Sequence, residues 1–243
     1  VELARRERRA VLRCDILLVV AIAFIILTSI AMAAYPGSNH LNHTTHGYSF
    51  TTNFFSDLGA TRTYAKHLSV ASAVLFMIAL AAVGGAIIVF SFNAAVVAWK
   101  EERLRRACMV ATACGIVSGL GFICIAGTPE NVSDTMHVLF VQIAFGFLLL
   151  FVILLTAAQI ANHWPRIYLV PNFLYMVILA AYVVLLFFGP NVDTLHGLEI
   201  QAIGQKIIVY SSIVNVALQA FGVRRYLLNK LSGKAEVGAA LGS

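Results

Sequence analysis

Residues 136–160 read M-H-V-L-F-V-Q-I-A-F-G-F-L-L-L-F-V-I-L-L-T-A-A-Q-I, a run without one Asp, Glu, Lys or Arg. A hydrocarbon core of roughly 30 Å is crossed by about 20 apolar residues in a helix, so this segment reads as a membrane span. Five stretches of the same kind lie near 14–35, 69–97, 107–127, 167–188 and 200–223, with short polar breaks between them. Composition points the same way, because 60% of the 243 residues are hydrophobic and only 12% are charged. The expected fold is therefore all-α and integral to the membrane: one domain over 1–243, a six-transmembrane-helix bundle built from three hairpins. The first span reads as retained, since its apolar run exceeds the roughly 7–15 residues of a secretory signal core and no small-residue cleavage site follows it.

Orientation follows from Lys and Arg, which are held on the cytoplasmic side of a span. Arg5, Arg6, Arg8, Arg9 and Arg13, then Lys100, Arg103, Arg105 and Arg106, then Arg166, then Arg224, Arg225, Lys230 and Lys234 fall on one side. Only Arg62 and Lys66 fall on the other, and Lys206 is inside the last span. Both termini are thus expected in the cytoplasm. The net charge of +6 reads as membrane orientation; no basic, aromatic-interleaved surface suggests nucleic acid. Cys14, Cys108, Cys114 and Cys124 lie in or beside helices, which argues against a disulfide framework. Two glycosylation-type sequons, at Asn42 and Asn131, are on the outer side.

Six of the seven histidines share that outer side, and two occur in a repeated phrase, D-T-x-H-x-L-x-x-Q. One copy runs from Asp134 through His137 to Gln142, the other from Asp193 through His196 to Gln201. Asp or Thr before a helix can accept hydrogen bonds from its first-turn amides, so each copy reads as a helix start carrying a His. His67 likewise opens the second span. Imidazoles gathered there could cap helix ends, or His67, His137 and His196 could form a metal site. Zinc or copper would be the natural ion for such nitrogen ligands.

The long outer loop, residues 36–68, carries His40, His43 and His46 at spacings of three. On a helix these would share one face and extend the metal-ligand set, while the polar, turn-forming setting G-S-N-H-L-N-H-T-T-H-G reads as solvated loop. The sixth span is the least lipid-like. His196, Glu199, Lys206 and Tyr210 form one polar sector, and Gln201, Gln205, Ser212, Asn215 and Gln219 a second. Such a helix belongs inside the bundle or against another membrane subunit. Glu199 and Lys206, two turns or about 10 Å apart, are each expected to find a partner on another helix; alternatively Lys206 snorkels outward. Gly115 and Gly119 suit close helix packing.

The loop then turns aromatic, with Tyr48, Phe50, Phe54 and Phe55 flanking Asn53, Ser56, Asp57 and Gly59. Aromatics at this density belong at a bilayer interface or over the bundle mouth, and they would bring Asp57 near the helix ends that bear the histidines. The motif N-F-F-S-D-L-G at 53–59, after the Tyr35-Pro36-Gly37 that ends the first span, resembles the signature of the domain-of-unknown-function 998 proteins of bacteria and archaea. The resemblance implies a six-helix architecture, a multi-pass place in a prokaryotic cytoplasmic membrane, and Asn53, Ser56, Asp57 and Gly59 as matching positions. It implies no activity.

Common chemistries are bounded by absent motifs: there is no Gly-rich phosphate cradle, no H-E-x-x-H and no G-x-S-x-G. A di-haem span would need histidines at both depths, and the inner side has only His163. Three readings remain open. In the first, the protein is a non-catalytic binding or accessory subunit, whose outer mouth of Asn53, Ser56, Asp57, Lys206 and Tyr210 takes a lipid headgroup, a metal or a partner, with the sixth helix as contact. In the second, it is a metal-dependent membrane hydrolase with Asp57 and Glu199 as catalytic candidates. In the third, it is a proton-coupled transporter relaying charge through Glu199 and Lys206.

Overall fold

The computed structural model describes residues 2–97 and 102–240. Lys100, and the side chains of Arg103, Lys230 and Lys234, used above for orientation, lie outside what is described. Six helices make up the fold: α1 (Glu2–Ala34), α2 (Val70–Val97), α3 (Glu102–Gly127), α4 (Asp134–Ala161), α5 (Arg166–Phe188) and α6 (Leu195–Ala240), with a short 3-10 helix over Ser56–Gly59. All six are long and apolar enough to cross a membrane. Helix α1 begins well before the apolar run and α6 overruns its own at both ends. The flanking sequence is rich in Ala, Leu, Arg, Glu and Lys, which favour helix whether or not they are apolar.

Each helix packs against its neighbour in sequence, and α6 returns to pack on α1. The six therefore close into a ring, with consecutive helices side by side all the way round. Between spans in lipid the hydrophobic effect gives little, so close backbone approach matters more. Helix α3 achieves it with glycine. A Cβ on Gly119 would stand 2.5 Å from the Gly84 carbonyl, one on Gly115 2.5 Å from Ser91 Cβ, and one on Gly121 2.9 Å from Ala144 Cα. The Gly115 and Gly119 pair thus serves packing, on the α2 side.

Inward-facing Leu17, Phe24, Leu80, Phe122, Phe145 and Leu148 line an apolar cavity of about 90 Å³ at the centre of the ring. Outward faces are aliphatic and exposed, as with Ile22, Ile78, Ile153, Val177 and Ile207. The four cysteines are free.

Helix α6 turns its polar residues inward. Tyr175 and Ser212 hydroxyls meet at 2.9 Å. Asn215 donates to Asn172 at 3.0 Å, and Asn172 to Thr156 at 2.8 Å. Gln159 donates to Gln219 at 2.7 Å, and Gln219 to the Tyr168 carbonyl at 2.8 Å. What faces outward is Ile200, Ile203, Ile207, Val214 and Phe221. The polarity of Ser212, Asn215 and Gln219 is therefore satisfied inside the bundle by α4 and α5.

The first loop, residues 35–69, folds over one end of the ring as a cap. Pro36 cannot extend α1, and Gly37 reverses the chain at φ +127, where a Cβ would sit 2.3 Å from the Thr45 carbonyl. Asn39 and Asn42 side chains then accept the amides of Leu41, Asn42 and Thr44, which sets local turns rather than helix. His40, His43 and His46 accordingly lie in loop, as the polar, turn-forming setting suggested, and not on the alternative helical turn; His40 and His43 flank the ring of Tyr64.

Candidate functional site

The cap is anchored by the aromatic motif. Phe55 is buried, stacking on Phe24 of α1 at 5.9 Å and tilting onto Phe76 of α2 at 5.7 Å, with Tyr210 of α6 edge-on at 6.2 Å. Tyr210 also stacks under Phe50 at 6.2 Å. Gly59 is needed because a Cβ there would meet the Phe76 ring at 2.8 Å, and Ser72 of α2 donates to the Leu58 carbonyl at 2.9 Å. The aromatics therefore sit over the bundle mouth.

Lys206 is 2% exposed, and its ammonium donates to the carbonyl of Asn53 and, at 3.2 Å, to that of Ala202. The Tyr48 and Phe50 rings each lie 5.3 Å from its Nζ. Neither sequence expectation for this residue holds: its partner is the cap backbone rather than another helix, and it does not reach outward. Gln205 next to it accepts the Phe55 amide. Glu199, one turn from the start of α6, is half-buried, and His196 is exposed.

Asp57, 2% exposed, is built into the same cap. Its carboxylate accepts from Asn53 Nδ2 at 2.8 Å, the Phe54 amide at 2.9 Å and the Tyr64 hydroxyl at 3.3 Å. Asn53 donates as well to the Ser38 carbonyl at 2.8 Å and accepts from the Ser49 amide at 3.0 Å, so it is a fully used structural knot. Burial pushes the Asp57 carboxyl up to about 7; the charge of Glu130 adds to this, and the bonds from Asn53, Phe54 and Tyr64 oppose it. Burial also raises Glu130, with His137 and His40 acting against the rise and Asp134 adding to it. Tyr64, raised chiefly by burial, stays a hydroxyl donor.

Two cavities meet beside this carboxylate. One, of about 230 Å³, is lined by Asp57, Thr63, Tyr64, Glu130 and Asp134, with Arg62 and Lys66 on its rim side. The other, of about 150 Å³, lies between the ends of α4, α5 and α6 and is lined by Ser56, Glu130, Asp134, His137, Gln201 and Gln205, with Val138, Val141, Leu185 and Leu186 as an aliphatic wall. Glu130 and Asp134 belong to both. Two chambers of mixed lining thus share a pair of carboxylates.

The two D-T-x-H copies do not superpose. In the first, Asp134 is already inside α4, and His137 is buried, donating from Nδ1 to the Thr128 carbonyl at 2.8 Å. In the second, Thr194 precedes α6 and its hydroxyl accepts the Gly197 amide at 3.1 Å, which leaves His196 exposed. Asp193 instead pairs with His40 at 2.9 Å, a contact that holds its carboxylate below the usual range and ties the cap to the α5–α6 loop. His67 and His46 are exposed. Among the described residues, no group of three or more His, Cys, Asp and Glu side chains is placed to hold a metal ion. His67, His137 and His196 form no such set, and neither do His40, His43 and His46, so no ligand cage for zinc or copper is assembled from them.

Of the candidate site residues singled out in the sequence, Asp57, Ser56 and His137 line the cavities, while Asn53, Lys206 and Tyr210 hold the cap that covers them. Glu130, Thr63 and Tyr64 were missed. Glu130 carried a signal, as an acid in the short break 128–135 just before Asp134. No family model, no curated protein and no solved structure matches the chain.

Proposed function

We propose that this is a non-catalytic membrane binding component whose capped end faces away from the cytoplasm and receives the head of a lipid. The carrying observation is the pair of cavities that share Glu130 and Asp134, one bordered by Arg62 and Lys66 and the other by the aliphatic wall of Val138, Val141, Leu185 and Leu186. That arrangement suits an amphiphile, with its head among the carboxylates and the start of its chain against α4 and α5. The orientation rests on Lys and Arg, with only Arg62 and Lys66 in the capped-end loops. Membership of the domain-of-unknown-function 998 family belongs to the same proposal, on the strength of N-F-F-S-D-L-G.

Two features speak for binding over the other readings. A charge relay needs a Lys free to exchange its proton, whereas the Lys206 ammonium is spent on the Asn53 and Ala202 carbonyls beneath the cap. Metal-assisted hydrolysis needs ligands in one place, and the described histidines are dispersed. The test is native mass spectrometry of the protein released from lipid nanodiscs. Wild type is expected to carry bound lipid, and Leu186→Trp, which fills the aliphatic wall from a half-buried position, to lose most of it. Lipid-free wild type, or undiminished lipid on the Trp variant, contradicts the reading.

A further inference from the structure

The larger cavity has a charge pattern that the lipid reading alone does not use. The only two basic residues of the capped-end loops, Arg62 and Lys66, both line it, opposite in sign to Asp57, Glu130 and Asp134. They are presented by a tight reversal. The Thr63 amide donates to the His67 carbonyl at 3.0 Å and the Lys66 amide to the Thr63 carbonyl at 2.8 Å, with Lys66 in the left-handed region at φ 66. A non-glycine residue held there is strained and persists only where its surroundings impose it. Here the surroundings are specific: the Ala65 amide donates to Ser38 Oγ at 3.1 Å, the Thr61 amide to Asn131 Oδ1 at 2.9 Å, and Arg62 Nη1 to the Lys66 carbonyl at 3.3 Å.

Despite sharing the cavity, neither cation closes onto a carboxylate among the described residues. A second observation is independent of charge. Thr63 lines the cavity and is 3% exposed, yet its hydroxyl has no hydrogen-bond partner among the described residues. A buried hydroxyl left unpaired is unfavourable, so a ligand that supplies its partner is favoured.

We infer that this cavity takes a zwitterion of the phosphoethanolamine type, its primary ammonium against Glu130, Asp134 and the Thr63 hydroxyl, its phosphate against Arg62 and Lys66. A primary ammonium offers three N–H donors to the acceptors present, which a quaternary ammonium cannot. Two adjacent cations suit a phosphate better than a single carboxylate, since Arg supplies a planar fork of donors and Lys a mobile point charge. The inference rests on the lipid-binding proposal for its natural source, because the same chemistry occurs as a lipid headgroup and as a free soluble molecule. The shared Glu130 and Asp134 let a headgroup occupy this chamber while its chain leaves through the smaller one.

The experiment uses the full chain in nanodiscs of equal parts dioleoyl phosphatidylethanolamine, phosphatidylcholine and phosphatidylglycerol, read by native mass spectrometry, alongside calorimetric titration in detergent with O-phosphoethanolamine. Phosphatidylethanolamine is expected at about tenfold preference over the other two, a difference of about 1.4 kcal/mol. That preference should vanish in the Arg62→Gln, Lys66→Gln double variant, whose two sites are exposed and tolerate the change. Lipid bound without headgroup preference overturns the zwitterion site and leaves the lipid reading standing. Free O-phosphoethanolamine bound without any lipid supports the site with a soluble source and overturns the lipid reading. Binding of neither overturns both.

Discussion

At the end of the bundle away from the cap, Gln159, Asn172, Asn215 and Gln219 bond to one another, to Thr156 and to the Tyr168 carbonyl, in a neutral network among α4, α5 and α6. At the capped end ionisable groups join the neutral ones: Asp57 and Lys206 are enclosed by the loop, and Glu130 and Asp134 border two cavities. The amide network has donors and acceptors in balance and needs nothing added. The capped end keeps carboxylates, two loop cations and an unpaired Thr63 hydroxyl around accessible space. A buried polar network that is fully paired specifies packing, whereas one left incomplete marks where something else binds.

The comparison breaks most visibly at Lys206. Lys206→Met leaves the Asn53 carbonyl unpaired and removes a charge-assisted bond, so it should lower stability by about 3 kcal/mol and release the cap. Hydrogen exchange should then accelerate at residues 49–58 and not along α4 and α5. If exchange rises uniformly, Lys206 is not the pin of the cap. Gln219→Leu strands Gln159 and the Tyr168 carbonyl and should cost about 2 kcal/mol by thermal denaturation in detergent, with cap exchange unchanged. A cap that loosens in this variant would mean that the two ends are not separate.

Acid titration sharpens the difference by a smaller step. Asp57 moves from its ordinary value of 3.8 to about 7 on folding, so between those values the folded chain holds a proton that the unfolded chain has lost. Its contribution is fully present below about pH 4 and declines as pH rises through about 7, at most about 1.4 kcal/mol per pH unit. Glu130→Gln removes the second cause of the raised value and should flatten the slope. The groups facing Asp57 are Asn53, Phe54, Tyr64, Glu130 and Lys206, with Tyr35 and Tyr48 also near it. Gln219→Leu should keep the wild-type slope, and an unchanged slope in Glu130→Gln would remove Glu130 from the cluster.

The six helices were legible because an apolar run of the right length has few other uses, and the aromatic motif announced a cap. Helix ends were less so: α1 and α6 continue into charged sequence where hydropathy is silent but helix propensity is not. The pin at Lys206 could not be read, since its partner is a main-chain carbonyl 153 residues away. The repeated D-T-x-H misled for a related reason. The same phrase starts α4 at Asp134 but α6 at Leu195, and with this two-residue difference in helix onset one His is buried and the other exposed. Glu130 and Thr63 gain their meaning only when the first loop folds back over the α3–α4 loop, a long-range event with no local pattern.

The most direct measurement is bound lipid, by native mass spectrometry, on Glu130→Gln, Asp134→Asn and on Gln219→Leu, each prepared from the same nanodiscs. If the capped end is the binding end, the carboxylate double variant loses its lipid and Gln219→Leu keeps the wild-type amount. Retention by the double variant, or equal loss from both, would contradict the account.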